Sequence, residues 1–237
     1  MSDSGHFCGH FCCPRAGSDL TPAQTQPNAI DLTITKFTAS DLGGLKAEQP
    51  VVVLLHGYGA DERDLPGIMS YLPNLPWVSP RAPLPTVQGG FAWYGVERVL
   101  NPNLEDVMPP TEALWDWLDD LLDPKQPLVV IGFSQGGLMA TQLLRSRPER
   151  IAACVILAGF AADVEMPADA TLRENKPKVL YCRGAQDTVV AKDAVAGLNR
   201  WLQSHTRAQT KTYEGLGHSI DDRVMNDVAD FVAASVG

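Results

Sequence analysis

Apolar segments of strand length alternate along the chain with segments in which apolar residues recur every three or four positions. Four of the strand-length segments are apolar on both faces, which is typical of interior strands in a parallel sheet. They are VVVLLH at 51–56, LVVIGF at 128–133, IAACVILAG at 151–159 and KVLYCRG at 178–184. The segment DLTITKF at 31–37 alternates polar with apolar residues and therefore predicts an edge strand.

Helical periodicity fills the intervals between these strands. TEALWDWLDDLL at 111–122 begins on a threonine suited to an N-cap, and its large apolar residues recur at helical spacing. QGGLMATQLLRSR at 135–147 predicts a second helix. Two more are predicted at roughly 191–204 and 221–235, with a strand TKTYEG at 210–215 between them. Because parallel strands need crossover connections, the alternation predicts the α/β class, with a mainly parallel sheet flanked by helices.

The interval 73–110 is rich in proline and glycine and carries several large aromatic residues, among them Trp93 and Tyr94. An ordered loop of this length is usually functional. No second domain boundary or internal repeat follows residue 30, so we expect a single domain over 30–237. The leader, 1–29, ends in a segment rich in proline, glutamine and threonine and is predicted to be disordered.

Composition narrows the classes of function. The formal net charge is −9 and no cluster of Lys and Arg stands out, which argues against binding to nucleic acid. The longest apolar run, 151–160, is about half the length that a membrane-spanning helix requires. The leader has no continuous apolar segment that would act as a secretory signal. We therefore expect a cytoplasmic protein without a transmembrane segment, in which Cys154 and Cys182 are buried thiols.

Five side chains of the kinds that bind soft metals crowd into the leader. They are His6, Cys8, His10, Cys12 and Cys13. Their spacing fits no usual zinc pattern, and no second cluster supplies further ligands, so we predict no metal site. Reversible acylation of these cysteines and an artefact of the start codon are alternatives that the sequence leaves open.

The segment VVIGFSQGGLMA at 129–140 places Ser134 between an apolar strand and the start of a helix. In such a turn the serine holds an unfavourable backbone conformation, so the residues two before and two after it must be small, as Gly132 and Gly136 are. The helix N-terminus also directs N–H groups and a positive dipole toward the serine oxygen. The alternative is that the glycines merely form a tight turn and Ser134 is an ordinary turn residue. The strand–turn–helix context favours a nucleophile.

A serine hydroxyl needs an adjacent base, and histidine is suited to that task near neutral pH. Two of the five histidines lie in the leader, and His205 stands at a polar helix end. His56 precedes the serine, whereas in a fold with this kind of turn the histidine comes last. His218 follows the last predicted strand, on a loop at the same sheet edge as Ser134, and is therefore the predicted base.

The third residue must be a carboxylate that orients the imidazole. Asp187 directly follows the strand predicted at 178–184, and serine, acid and histidine then occur in the expected chain order. Asp163 follows the preceding strand and is the alternative, although a solvated loop position is its more common interpretation. We predict Asp187.

Negative charge on the reacting carbonyl oxygen requires preorganised donors. One is predicted to be the backbone N–H of Gln135, which directly follows the nucleophile. The other should come from the loop after an early central strand, here HGYGAD at 56–61, and the N–H of Tyr58 is the candidate. Turning of the chain by Gly57 and Gly59 is compatible with this role.

Six motifs in order resemble the carboxylesterase/phospholipase family of α/β-hydrolases, which includes the acyl-protein thioesterases. They are LLHGYGADERDL, SPRAPLP, AWYGV, GFSQGG, RGAQDTVV and KTYEGLGHSI, and they span roughly 50–236. The resemblance implies an α/β-hydrolase fold without a large cap domain, and substrates that are carboxylic esters or thioesters. It implies the triad Ser134, Asp187 and His218, with an oxyanion hole from Tyr58 and Gln135. GAQDTVV lacks the first aspartate and the proline that this family often carries there, although Asp187 is present.

These features predict a serine hydrolase that forms an acyl-enzyme and needs no metal or organic cofactor. Trp93 and Tyr94 are predicted to line the substrate pocket, on the strength of their loop and the family motif. Alternatives are a catalytically silent relative that acts as a binding protein, and dienelactone-type or peptidase-type hydrolases. Dienelactone-type hydrolases normally carry cysteine in the turn where this chain has serine, and peptidase-type hydrolases usually have an additional domain. The acyl length, the leaving group, whether an acylated lipid or protein is cleaved, and the oligomeric state are left open.

Overall fold

The computed structural model describes residues 30–95 and 102–237, so the predicted leader lies outside it. Seven strands of the described residues form one sheet in the order β1-β3-β2-β6-β7-β8-β9, in which β1 is antiparallel and the others are parallel. Strands β4 and β5 form a separate hairpin. The strands are β1 (Phe37–Ala39), β2 (Val51–Leu55), β3 (Trp77–Pro80), β4 (Leu84–Pro85), β5 (Phe91–Ala92), β6 (Leu128–Phe133), β7 (Ile151–Leu157), β8 (Lys178–Gly184) and β9 (Arg207–Tyr213).

Helices cover both faces of this sheet. They are α1 (Leu104–Leu121), α2 (Gln135–Ser146), α3 (Asp169–Asn175), α4 (Lys192–His205) and α5 (Asp222–Val236), with 3₁₀ helices at Pro66–Tyr71 and Pro148–Arg150. One hydrophobic cluster joins the sheet to α1, α2, α3 and α4, and a second joins it to α5 and the 3₁₀ helix Pro66–Tyr71. None of the helices in the described parts of the chain has the length and apolar character to span a membrane.

Strand β2 shows why the interior strands are apolar on both faces. Val51, Val53 and Leu55 pack in the first cluster, and Val52 and Leu54 pack in the second, so every residue of the strand is fully buried. Burial of one such side chain contributes roughly 1.5–3 kcal/mol. The predictions of interior strands at β2, β6, β7 and β8 are confirmed.

The helix predicted from Thr111 begins earlier, at Leu104. Pro109 and Pro110 interrupt the sequence pattern, but a capping box between Asn103 and Asp106 satisfies backbone N–H groups of the first turn and sets the start. Thr111 lies inside the helix, where its hydroxyl donates to a backbone carbonyl. The N-cap prediction for Thr111 was therefore wrong.

Other differences concern the elements with the weakest sequence pattern. The predicted edge strand at 31–37 is seen only from Phe37, and the strand predicted at 210–215 spans Arg207–Tyr213. The interval 73–110 is not one loop, because its described residues include three short strands and the first residues of α1. The short helix α3 was not predicted.

The parallel order brings four loops to one edge of the sheet. The carboxyl ends of β2, β6, β8 and β9 lead into the segments that carry Tyr58, Ser134, Asp187 and His218. Ligands of open α/β sheets bind at this edge. The candidate site is therefore built from loops on four parallel strands.

Candidate active site

Ser134 occupies the turn between β6 and α2, with φ 54° and ψ −115°. This conformation is unfavourable for a residue with a side chain. Neighbouring glycines make room for it. A Cβ atom on Gly132 would lie 2.0 Å from the carbonyl oxygen of Gly136, and one on Gly136 would lie 1.9 Å from that of Leu55. The turn therefore requires both glycines, as the sequence predicts.

Three predicted site residues form one chain of hydrogen bonds. The Nε2 atom of His218 lies 2.9 Å from Oγ of Ser134, and its Nδ1 atom lies 2.8 Å from Oδ2 of Asp187. The ring of Phe133 packs against the imidazole at a centroid separation of 4.9 Å. A carboxylate that accepts from Nδ1–H leaves Nε2 free to accept the serine proton.

The Asp187 carboxylate is almost completely buried, with a side-chain exposure of 1%. Its second oxygen, Oδ1, accepts hydrogen bonds from the backbone N–H groups of Val189 and Val190. Burial alone would raise the pKa of this carboxyl, but the hydrogen bonds from His218 and from these two amides together hold it below its usual value of 3.8. Asp187 is thus held as the anion that an imidazolium requires.

The turns that carry the acid and the histidine are tied to each other. The N–H of Gln186 donates to the carbonyl oxygen of Leu216 at 2.9 Å. At Gly184 the backbone of the acid turn comes so close to the histidine turn that a Cβ atom would lie 2.1 Å from the oxygen of Leu216 and 2.2 Å from that of Gly217. Sequence reasoning did not identify Gly184. Its signal is a glycine at the end of a buried strand, directly before the acid turn.

The two predicted oxyanion donors lie beside the nucleophile. Gln135 is the first residue of α2, and a Cβ atom on Gly57 would lie 3.4 Å from the Cβ of Ser134. Within the described residues, neither the N–H of Gln135 nor that of Tyr58 has a hydrogen-bond partner. Both groups are thus available to a ligand, and the N-terminus of α2 adds its positive dipole.

His56 is buried, and both of its ring nitrogens bond to the backbone. Nδ1 lies 2.8 Å from the carbonyl oxygen of Gly57, and Nε2 lies 3.0 Å from the backbone nitrogen of Ala82. An N–H of Ala82 only donates, so Nε2 is the acceptor and Nδ1 carries the proton. Burial lowers the pKa of His56, which favours this neutral ring. His56 braces the loop that carries Tyr58.

Trp93 and Tyr94 lie behind this loop, with exposures of 0% and 2%. The indole N–H of Trp93 donates to the carbonyl oxygen of His56 at 2.9 Å. The side chain of Gln135 accepts from the N–H of Trp93 at 2.9 Å and donates to the carbonyl oxygen of Tyr94 at 3.1 Å. These contacts connect the two aromatic residues to Gln135 and to the loop that carries Tyr58. Their role in lining the substrate pocket stays a prediction.

The hairpin of β4 and β5 closes against the same loop. The N–H of Gly59 donates to the carbonyl oxygen of Phe91, and a Cβ atom on Gly90, at φ +76°, would lie 1.9 Å from the oxygen of Gly59. The buried carboxylate of Glu62 forms an ion pair with Arg81 at 2.5 Å. Sequence reasoning missed these bracing residues, because their contacts join positions far apart in the chain.

The remaining candidates lie away from this constellation. Asp163 lines a separate cavity with Arg145 and Trp201, while Asp187 holds His218. His205 is buried and stacks on Trp201 at the end of α4. The leader residues His6, Cys8, His10, Cys12 and Cys13 lie outside the described residues. Over 30–95 and 102–237, no three His, Cys, Asp or Glu side chains are grouped as metal ligands would be.

Comparisons with known proteins show what the chain is similar to. A model of the phospholipase/carboxylesterase family matches residues 43–236. The chain is similar to acyl-protein thioesterase 1 of Candida albicans, with 29% identity over 212 residues that cover 76% of this chain and 90% of that protein. It is also similar to esterase YpfH of Escherichia coli, with 25% identity over 209 residues that cover 81% and 85%.

Solved structures share the architecture. Esterase PE8 has a TM-score of 0.68 at 26% identity, over 87% of this chain and 100% of that one. A carboxylesterase of Bacillus cereus has a TM-score of 0.71 at 18% identity, over 84% and 94%, and at that identity the likeness shows the fold alone.

Proposed function

The chain belongs to the phospholipase/carboxylesterase family of α/β-hydrolases, and we propose that it cleaves its substrates with Ser134 as nucleophile, His218 as base and Asp187 as the carboxylate that orients the imidazole. It is a serine hydrolase of the esterase and thioesterase type. Its fold is the α/β-hydrolase fold, and the described residues include no large cap domain. The substrates are esters or thioesters.

One observation carries the assignment of roles. Oγ of Ser134 and Oδ2 of Asp187 are bridged by the imidazole of His218, with heavy-atom distances of 2.9 and 2.8 Å. Nucleophilic catalysis requires the nucleophile to lie within hydrogen-bond reach of the base, and the base within reach of the acid that orients it. These three residues satisfy that requirement.

The reaction then has two halves. Oγ of Ser134 attacks the carbonyl carbon while Nε2 of His218 takes its proton, and the imidazolium is stabilised by Asp187. The proton passes to the departing alcohol or thiol as its bond to the carbonyl carbon breaks, which leaves an acyl-serine. Water attacks this ester by the same route and releases the acid. The N–H groups of Tyr58 and Gln135 stabilise the oxyanion of both tetrahedral intermediates.

Substitution of the nucleophile tests the proposal. Ser134→Ala should abolish the hydrolysis of short p-nitrophenyl esters, and it should prevent labelling by a fluorophosphonate probe that reacts with the unaltered enzyme. Undiminished turnover by Ser134→Ala would refute the nucleophile. Failure of the unaltered protein to react with either reagent would favour the catalytically silent binding protein.

The finer identity of the substrate is also a proposal. Similarity to an acyl-protein thioesterase and the match to the phospholipase/carboxylesterase family favour an acylated protein or lipid as the natural substrate. A panel of esters and thioesters of graded acyl length, assayed with purified protein, would measure the preferred acyl length and the preference for ester or thioester. A cytoplasmic location stays a prediction, supported by the free, buried thiols of Cys154 and Cys182.

A further inference from the structure

A groove of about 470 Å³ opens beside His218. It lies on the face of the sheet that carries α5 and the 3₁₀ helix Pro66–Tyr71. Neither of the two oxyanion residues lines it, whereas His218 forms part of its wall. The groove therefore meets the candidate site on the side of the base.

The floor of the groove is apolar. Its apolar side chains are Leu65, Ile68, Phe133, Ile220 and Met225. They come from the segment after β2 with its 3₁₀ helix, the end of β6, the histidine turn and α5. All of them belong to or pack on the second hydrophobic cluster. A floor of this kind binds the hydrocarbon part of a ligand.

The rim of the groove is acidic. Asp64 and Asp222 are exposed and have no ion-pair partner among the described residues. Tyr71 donates its hydroxyl to Asp222 at 2.6 Å. Asp221 is the third acid, and its charge is balanced by Arg223 at 2.7 Å. No lysine or arginine of the described parts of the chain lines the groove.

The reaction mechanism determines which part of the substrate must lie beside His218. In the tetrahedral intermediate the oxyanion points to the amides of Tyr58 and Gln135. The leaving heteroatom must reach Nε2 of His218, because it takes its proton from there. A groove that has His218 in its wall and excludes the oxyanion residues is therefore placed to receive the body of the leaving group.

We propose that this groove is the leaving-group site, and that it selects an alcohol or thiol whose body is apolar near the scissile bond and positively charged farther out. The inference rests on the proposed function of Ser134, Asp187 and His218. The hydrocarbon part packs on the apolar floor, and the cation lies near Asp64 and Asp222. As the bond from the carbonyl carbon to oxygen or sulfur breaks, its electron pair stays on the leaving atom, which receives the proton from Nε2.

Matched thioesters test this assignment. All of them carry the same acyl group. Their thiols end either in a trimethylammonium group or in the isosteric neutral tert-butyl group, and each type is made with a short and with a long alkyl spacer. The quantity compared is kcat/KM, which includes acylation and so depends on the leaving group. The rate of deacylation is measured separately by single-turnover kinetics, because every substrate of the set forms the same acyl-enzyme.

The unaltered enzyme should prefer a cationic thioester to its neutral counterpart by about three- to tenfold at low salt, as expected for exposed charge pairs. The preference should shrink as ionic strength rises. The double variant Asp64→Asn/Asp222→Asn should lose it while the deacylation rate stays the same. Asp193→Asn is the matched control, because this exposed acid also stands in the first turn of a helix but does not line the groove.

Three results would overturn the inference. One is equal kcat/KM for cationic and neutral thioesters, and another is a preference that survives in the double variant. The third is a change in deacylation rate in the double variant, which would place the acyl chain in the groove. Turnover by Ser134→Ala would instead refute the proposed function, so the two failures are distinguishable.

Discussion

The Nδ1 atom of His56 lies 2.8 Å from the carbonyl oxygen of Gly57, and that carbonyl belongs to the same peptide group as the N–H of Tyr58. A peptide group is planar, so a bond that fixes the carbonyl also fixes the direction of the N–H. The other ring nitrogen accepts from Ala82 and holds the imidazole in place. A histidine that is not in the triad thereby orients a predicted oxyanion donor.

Removal of this ring should impair catalysis more than folding. We expect His56→Ala to lower kcat/KM by roughly ten- to a hundredfold, somewhat less than the loss of a whole oxyanion donor. His56→Gln retains a side-chain N–H and should recover part of the rate. The downfield proton NMR signal of the Asp187–His218 hydrogen bond should persist in both variants. A folded His56→Ala protein with an unchanged kcat/KM would contradict this role.

The lowered pKa of His56 also predicts a dependence of stability on pH. In the unfolded chain its imidazole takes up a proton near pH 6.5, whereas burial keeps it neutral to lower pH in the folded protein. The stabilisation is therefore complete above pH 6.5 and is lost as the pH falls toward the folded pKa, by up to about 1.4 kcal/mol per pH unit.

Urea unfolding between about pH 5 and 8 would measure this loss. The free energy of unfolding of His56→Gln should vary less over that range than that of the unaltered protein. The pKa of Asp187 is lowered from 3.8, so its contribution is lost only at more acidic pH and does not interfere. If the free energy of unfolding changed equally with pH in the two proteins, His56 would titrate alike in the folded and unfolded states.

Asp187 and Asp163 offer a matched pair of substitutions, because both follow buried strands and only Asp187 bonds to His218. Asp187→Asn should lower kcat about 10⁴-fold, since an amide in this position favours the wrong tautomer of the imidazole. Asp163→Asn should keep nearly full activity. Kinetics with a p-nitrophenyl ester are sufficient for the comparison, and a severe loss in Asp163→Asn would reverse the assignment.

Gly136 and Gly197 provide a test of the serine turn, since both are helical glycines but only Gly136 is tightly packed against other backbone. A Cβ atom at Gly136 would meet the carbonyl oxygen of Leu55 at 1.9 Å, whereas at Gly197 the nearest atom is the flexible end of Arg200 at 3.8 Å. We expect Gly136→Ala to lower stability by about 1–3 kcal/mol and to remove activity. Gly197→Ala should raise stability by about 0.5–1 kcal/mol and leave activity intact. Thermal unfolding and ester hydrolysis would measure both effects.

The parts of the fold that could be read from the sequence are those with a strong local pattern. Strand β2 is apolar on both faces because its side chains enter two different clusters, and this leaves an uninterrupted run in the sequence. The turn at Ser134 could also be recognised, because glycines stand two positions before and after the serine. Gly132 is required by the close approach of Gly136 within the turn, whereas Gly136 is required by the carbonyl oxygen of Leu55 on β2.

Features that depend on distant contacts could not be read in this way. The start of α1 is set by Asn103 and Asp106, while the two prolines that follow suggest a later start. Trp93 lies in a segment that looks like an exposed loop, yet it is buried because His56 and Gln135 supply partners for its polar groups. The groove beside His218 likewise joins segments that no spacing in the sequence relates.

The close approach of Gly184 to Leu216 and Gly217 has a practical consequence for protein engineering. The turn that carries the acid and the turn that carries the histidine have complementary backbone shapes and pack in direct contact. A chimera that takes one turn from a homologue and keeps the other would bring mismatched backbones into a space with no room for a methyl group. Successful exchange therefore requires that both turns be transplanted together from the same donor.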